Sequence, residues 1–363
     1  MLTLKKLRGD YMYRPTYVKV NMNNIYKNIV KIKEHYDYEY YIGVVKANCY
    51  GHGIGALGAI IDAGCNYLAV ATLEEALQVR LYTNIPIICL GVVLKDSLDV
   101  CADKDITITI NSLDYYKEIK HINLPLKVHL KLNTGMNRLG IGNKEELNYI
   151  YNSFHETSFI LEGIYSHIFD PSNTIDTEKQ FNKFYELCHD IDLSTIKMIH
   201  IAASETLTKY PKPKFINGVR LGLIMYGFSE ELELDSTFSL YSKIVQINEV
   251  DENDKVGYSG KYIAKGKEKI AVIQVGYADG ILRSYRDNIV YINDKPFKIV
   301  GNVCMDMLFV KIDDTVNTYD EVVLLKDNVH IMQTAKHLET IPYEILCGIS
   351  NRVPRIYQYD INP

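Results

Sequence analysis

The sequence has no tryptophan, no Cys-x-x-Cys pair, no run of basic residues and no long uninterrupted apolar stretch. Each absence excludes something. A bilayer-spanning helix needs about 18 or more consecutive apolar residues, and none exist here, so nothing in this chain is expected to cross a membrane. The opening MLTLKKLRGD lacks the apolar core of a signal peptide. A longer, membrane-attached parent is left open by that reading. The 40 Lys and Arg residues are scattered and the net charge is -5. No basic stripe is available for nucleic acid. The seven cysteines, Cys49, Cys65, Cys89, Cys101, Cys188, Cys304 and Cys347, are odd in number, and several sit in apolar runs. They point to buried thiols in a reduced cytoplasmic compartment rather than to a disulfide framework. His52 lies between Gly51 and Gly53, but neither His35 nor His129 stands at metal-ligand spacing from it. No metal site is expected.

What is present is an ordinary globular composition, 47% hydrophobic and 23% charged over 363 residues. That length is comfortable for two domains. Between residues 40 and 227, short β-branched runs alternate with helical patterns. The strand candidates are 42–47, 67–72, 86–91, 106–110, 127–133, 162–168, 198–204 and, more weakly, 215–220. Segments such as TLEEALQVRLYT lie between them, with Leu73, Ala76, Leu77 and Leu81 at helical spacing. Eight strands alternating with helices imply a parallel (β/α)8 barrel of the TIM type, with an open doubly wound sheet as the competitor. After residue 238 the texture becomes strand-like, with Asp, Asn and Gly between the runs, and only 331–340 reads as a helix. The expected organisation is a barrel over 1–238 and a mostly β domain over 239–363. A strand over 12–22 precedes the barrel and is expected to pair with the β domain.

The segment VVKANCYGHGIG, residues 44–55, carries the most chemistry. It puts Lys46 at the C-terminal end of an apolar strand before a glycine-rich turn, where barrel enzymes keep their reactive groups. Partial desolvation favours the neutral amine that forms an imine. On the bare V-V-K, a strand-end lysine reaching solvent is the simpler reading. The full string V-V-K-A-N-x-Y-G-H-G resembles the cofactor-lysine signature of the alanine racemase family. The resemblance continues in order through HLKLNTGMNRLG (129–140), EGIYSHI (162–168), IHIAASE (199–205) and GVRLGLIMYG (218–227). It extends on through VGYSGKY (256–262), VGYADG (275–280), GNVCMDM (301–307) and SNRVPRI (350–356).

The resemblance implies pyridoxal 5'-phosphate (PLP) held as an imine on Lys46, and a homodimer with active sites shared between subunits. Lys46 and Tyr258 would be the two bases, one on each face of the substrate α-carbon, as racemisation requires. Arg220 would donate to the pyridine nitrogen, keeping it unprotonated, and with His200 would help stabilise the tyrosinate. Ser204, with the N–H groups of Gly222 and Leu223 at the start of an apolar helix, would hold the phosphate, joined by Tyr50. His167 would lie beside the ring. Arg138 would meet the phenolic oxygen and the substrate carboxylate. Lys131 matches a lysine carbamylated in many relatives, and uncarbamylated it would repel Arg138. Tyr277, Met305 and Asp306 match residues of substrate access and the carboxylate site.

Three positions depart from the family pattern. Asn133 replaces a usual aspartate, Ala203 a usual asparagine, and Asn351 a tyrosine that contacts the phosphate and the substrate side chain. A shorter amide at 351 opens room and offers a partner to a hydroxyl, which favours serine beside alanine. In this the chain resembles the serine/alanine racemases associated with vancomycin resistance, which often carry a preceding membrane domain that this sequence lacks. A strict alanine racemase is the alternative. A PLP-dependent basic amino-acid decarboxylase is disfavoured by Arg220 and by the lack of a cysteine-aspartate motif near the C-terminus. A non-catalytic PLP carrier would have no use for Tyr258.

Overall fold

In chain order the first strand is β1 (Tyr17–Asn21), and eight parallel strands follow it. They are β2 (Tyr40–Val44), β3 (Tyr67–Val70), β4 (Ile87–Cys89), β5 (Ile106–Ile110), β6 (Lys127–Lys131), β7 (Ile160–Tyr165), β8 (Met198–Ala203) and β9 (Gly218–Leu221). The computed structural model describes residues 13–359. It divides into two compact units, one of Tyr26–Cys49 with Leu57–Leu234, the other of the residues up to Ile25, Tyr50–Ala56 and Asp235 onward.

In the first unit β2 to β9 pair in sequence and β9 pairs back onto β2, so the sheet is a closed barrel. That closure bears out the (β/α)8 reading and excludes an open sheet. Strands β3, β4, β5 and β9 are buried at every position. A parallel barrel covered by helices requires this, and it explains why these runs show little polar alternation. The helix Leu73–Arg80 is capped by Thr72 and carries Glu74 and Glu75 in its first turn. It buries Ala76 and Val79 rather than Leu81, which is exposed.

The second unit is built on β10 (Phe238–Val250), β11 (Lys255–Val256), β12 (Tyr262–Ile263), β13 (Glu268–Ile273), β14 (Ile289–Ile292), β15 (Lys295–Val300), β16 (Leu308–Ile312), β17 (Glu321–Leu325) and β18 (Arg355–Gln358). The large sheet runs β13-β16-β15-β14-β17-β10-β1-β18, and β13 also pairs with β10. The first six strands therefore close into a ring, with β1 and β18 appended. β1 is antiparallel to β10 and parallel to β18. The 13-residue β10 pairs with β17 over Leu240–Lys243 and with β13 from Ile244 to Val250, and its register against β13 shifts between Ile244 and Gln246. β11 and β12 form a separate hairpin.

Several boundaries differ from the sequence reading. Of the strand expected over 12–22, residue 12 and the MLTLKKLRGD segment lie outside the described residues, and pairing begins at Tyr17. The helix expected over 331–340 runs Asn328–His337, started by Asp327, whose carboxylate accepts from the His330 N–H. A second helix, Pro342–Gly348, follows and was not anticipated; its proline occupies the first turn, where the missing N–H costs nothing. No helix among the described residues is long and apolar enough to cross a membrane. All seven cysteines are free thiols, five of them buried, with Cys347 exposed.

Candidate active site

Lys46 leaves the barrel at the C-terminal end of β2, one residue after the Val45 N–H makes the last ladder bond, to Ala69 O at 2.9 Å. The chain then turns left-handed. Ala47, Asn48 and Cys49 have φ and ψ near +50°, and Tyr50 follows with φ 51°. Four consecutive L-residues in this region cost roughly 1–2 kcal/mol each. The sequence reading extends the strand through Ala47 and misses this turn. Backbone and carboxylate contacts hold it. The Cys49 N–H donates to Val45 O at 3.0 Å. The Glu75 carboxylate accepts from Ala47 N at 2.7 Å and, with its other oxygen, from Ala71 N at 2.8 Å.

Arg220 is buried in β9 and tied down on both Nη groups. Nη1 donates to His200 Nδ1 (2.6 Å) and His200 O (3.1 Å). Nη2 donates to Ser166 O (2.8 Å), Ile201 O (2.9 Å) and His167 Nδ1 (3.1 Å). Behind this contact a polar file runs into the barrel. His200 Nε2 lies 3.0 Å from His129 Nδ1, and His129 Nε2 faces Glu162 Oε2 at 3.5 Å. Glu162 also accepts from Tyr67 (3.1 Å), Thr107 (3.2 Å) and Lys197 (2.9 Å). Burial would raise the Glu162 carboxyl, but facing His129 and Lys197 outweigh it and hold it at about 2. Burial, reinforced by Arg220, keeps His200 neutral well below the ordinary histidine range. The Tyr165 ring stacks flat on His200, centroids 4.7 Å apart. Gly163 makes room for the file, since a Cβ there would sit 2.6 Å from His129 Nδ1.

Cations gather at the same mouth. Lys131 is the last residue of β6 and is buried. Burial, Arg138, Arg220 and Lys46 together pull its amine down to about 8. The same surroundings, burial first and then Arg220, Arg138, Lys131 and Lys46, push the His167 imidazole down to about 3. Arg138 is carried by a loop that folds back on β6, with Asn133 N to Ile141 O at 2.9 Å and Ile141 N to Lys131 O at 2.8 Å. Asn133 organises that loop: its Oδ1 accepts from Gly135 N (3.2 Å) and Asn137 N (3.0 Å), and its Nδ2 donates to Asn137 Oδ1 (3.0 Å). An aspartate could accept both backbone bonds but could not make the third.

Ser204 opens a short helix after β8, and its Oγ accepts from Ile224 N at 3.3 Å. Ser204, Gly222 and Leu223 are thereby brought to one place. The apolar helix expected after Arg220 is instead a single 3-10 turn, Leu223–Tyr226, stopped by Gly227 at φ 89°. Only a glycine enters that conformation without strain. Ala203 precedes the Ser204 helix without capping it by a side chain.

The remaining expected residues belong to the β unit. Tyr258 is 70% exposed, at a turn preceded by Gly257. It lines one depression together with Met305 and Asp306. Asp306 receives Arg352 Nη2 at 2.7 Å. The turn that carries Asn351 is fastened to the turn that carries Tyr277: Ser350 N donates to Asp279 O (3.0 Å) and Ser350 Oγ to Ala278 O (2.9 Å). Tyr277, Asp306 and Asn351 are thus gathered by one set of contacts. Tyr50 is buried, its ring centroid 5.7 Å from that of Tyr343. His52 bonds Thr237 Oγ1 through Nε2 at 2.8 Å.

His129, Glu162, Lys197, Glu75 and Arg352 were not anticipated. A signal existed for His129 and Lys131, which share one face of β6 by the strand period of two, inside an otherwise apolar run. None existed for Glu75, whose contact with Ala47 spans 28 positions.

Residues 20–230 match the model of the alanine racemase N-terminal domain and residues 237–357 that of the alanine racemase C-terminal domain. An alanine racemase of Anoxybacillus flavithermus is 34% identical over 95% of each chain, and alanine racemase 2 of Caldanaerobacter subterraneus 36% identical over 95% of each. The crystal structure of the Bacillus anthracis alanine racemase with bound L-Ala-P superposes with a TM-score of 0.91 at 31% identity, covering 97% of both chains. That of Bartonella henselae, with covalently bound pyridoxal phosphate, gives 0.86 at 25% identity over 95% of this chain and 99% of the other. With both domain models matched in order along one chain, and a barrel mouth built around Lys46 and Arg220, this protein belongs to the alanine racemase family, a family of PLP-dependent isomerases.

Proposed function

We propose that the chain interconverts the enantiomers of alanine and of serine, with PLP anchored on Lys46. The observation that carries the reading is the cationic mouth of the barrel. Lys46, Arg138 and Arg220 stand near Lys131, and with burial as the larger cause they bring its amine down to about 8. Such a cluster suits an anionic cofactor, and its donors suit this one: a lysine amine to attach it, and a hydroxyl with turn N–H groups at Ser204, Gly222 and Leu223 for a phosphate. Arg220, held in place through both Nη groups, would be the donor to the pyridine nitrogen. When bound, PLP withdraws electrons from the substrate α-carbon and makes its proton removable.

The protein's part is to place the acid and the base. Lys46 Nζ takes the α-proton on one face, and Tyr258 Oη of the partner subunit returns a proton on the other; in the reverse direction the two exchange roles. Arg138 orients the substrate carboxylate, and neutral His167 offers a donor without a competing charge. Lys131, depressed toward neutral pH, is available for carbamylation, which would turn a repulsive neighbour of Arg138 into an attractive one. The active species is a homodimer, in keeping with the exposure of Tyr258 and its depression. A reduced, cytoplasmic setting goes with the seven free cysteines.

Side-by-side racemisation of L-alanine and L-serine tests the assignment. Lys46→Ala should abolish the absorption band of lysine-bound cofactor, and a persisting band would remove the central claim. Tyr258→Phe should slow proton removal from one enantiomer more than from the other; equal losses would count against two opposed bases.

A further inference from the structure

The turn that presents Lys46 has an unusual backbone, and one acidic side chain reaches it from elsewhere in the barrel. Left-handed conformations persist in non-glycine residues only where surrounding contacts over-determine them. The first N–H of this turn is that of Ala47, the residue joined directly to Lys46, and it meets Glu75 Oε1 at 2.7 Å. The second oxygen holds the Ala71 N–H, just beyond the end of β3, at 2.8 Å. One carboxylate therefore bridges the chain leaving β2 to the chain leaving β3. A carboxylate accepting backbone N–H bonds on both oxygens is a charge-assisted, directional tie.

Glu74 supplies the control. It lies beside Glu75 in the same first helical turn. Whatever a negative charge contributes to the helix N-terminus, both residues contribute it. Of the two, Glu75 is the one whose carboxylate accepts from the Lys46 turn.

We propose that Glu75 is a positioning residue that clamps the left-handed turn Ala47–Tyr50 and thereby fixes where Lys46 presents its amine. This rests on Lys46 being the cofactor anchor. The clamp acts through Ala47 and needs no contact with cofactor or substrate. Glutamine at 75 retains one acceptor oxygen but sets an NH2 group against the second backbone N–H, so one of the two ties is lost with the charge.

The test compares Glu75→Gln with Glu74→Gln in the full-length, PLP-loaded protein. Amide hydrogen exchange of peptides covering residues 46–50 reads the turn directly, and absorbance titration reads cofactor affinity. Glu75→Gln should raise exchange in that peptide, and weaken PLP retention, by about tenfold, the size expected for losing a hydrogen bond to a charged group. Glu74→Gln should leave both unchanged. Unaltered exchange and affinity in Glu75→Gln, or equal effects from both variants, would overturn the proposal. If wild-type protein never shows a lysine-bound cofactor band, the functional reading fails, whereas the exchange comparison still decides the clamp.

Discussion

Arg220 Nη1 lies 2.6 Å from His200 Nδ1, and this contact orders the protons of a buried file. A guanidinium can only donate, so Nδ1 must accept. Neutral His200 then carries its proton on Nε2 and donates it to His129 Nδ1, which leaves the His129 proton on Nε2, directed at Glu162. Three residues inherit their orientation from one that cannot change its charge.

The neutrality of these rings sets an acid limit on stability. Burial, as the largest cause, lowers His129, His167 and His200 below the ordinary histidine value of 6.5, with His167 at about 3. A depressed histidine binds its proton in the unfolded chain before it does so in the folded one. Stability is therefore fully present above pH 6.5 and is lost progressively below it, down to about 3 for His167. Each ring contributes a slope of about 1.4 kcal/mol per pH unit within its window. Denaturant unfolding at pH 7.5 and at pH 5 should show this loss, and replacing His167 by Gln should reduce it.

Glu162 acts in the same direction but in a more acidic window. Its carboxyl is held at about 2, against an ordinary 4.5. The stability it contributes is present above about pH 4.5 and is lost as pH falls through about 2. Glu162→Gln should cost about 2–3 kcal/mol at neutral pH. The gap to wild type should narrow at pH 3.5, and a gap independent of pH would show that the charge is not what matters.

The proposed activity on serine assigns the choice of side chain to Asn351. Asn351→Tyr should raise the alanine-to-serine ratio of kcat/KM by about tenfold, the order expected from filling a small pocket. An unchanged ratio would assign the preference to another residue of the Tyr277–Asp279 neighbourhood.

The sequence was most legible where periodicity and burial coincide. All eight expected barrel strands are present, and 106–110 is matched at both ends, because buried β-branched runs have no other comfortable place. Legibility failed at strand exits, where the outcome depends on a partner far along the chain. The left-handed course after Lys46 is held by Glu75, and no local propensity in KANCY announces it. The apolar stretch after Arg220 resembles a helix in composition, yet Gly227 stops it after one turn. The Arg220 file escaped notice for a related reason: a histidine within an apolar strand says nothing of its neighbours until the barrel has closed.

The return of β13 onto β10 also has a consequence for association. An open eight-stranded sheet offers two lateral rows of unsatisfied backbone groups, each a template for strand addition. Here the ring consumes one of them, and among the described residues the sheet ends at β18. Among the described residues, the edge at which this sheet could take up a further strand is β18, four residues long.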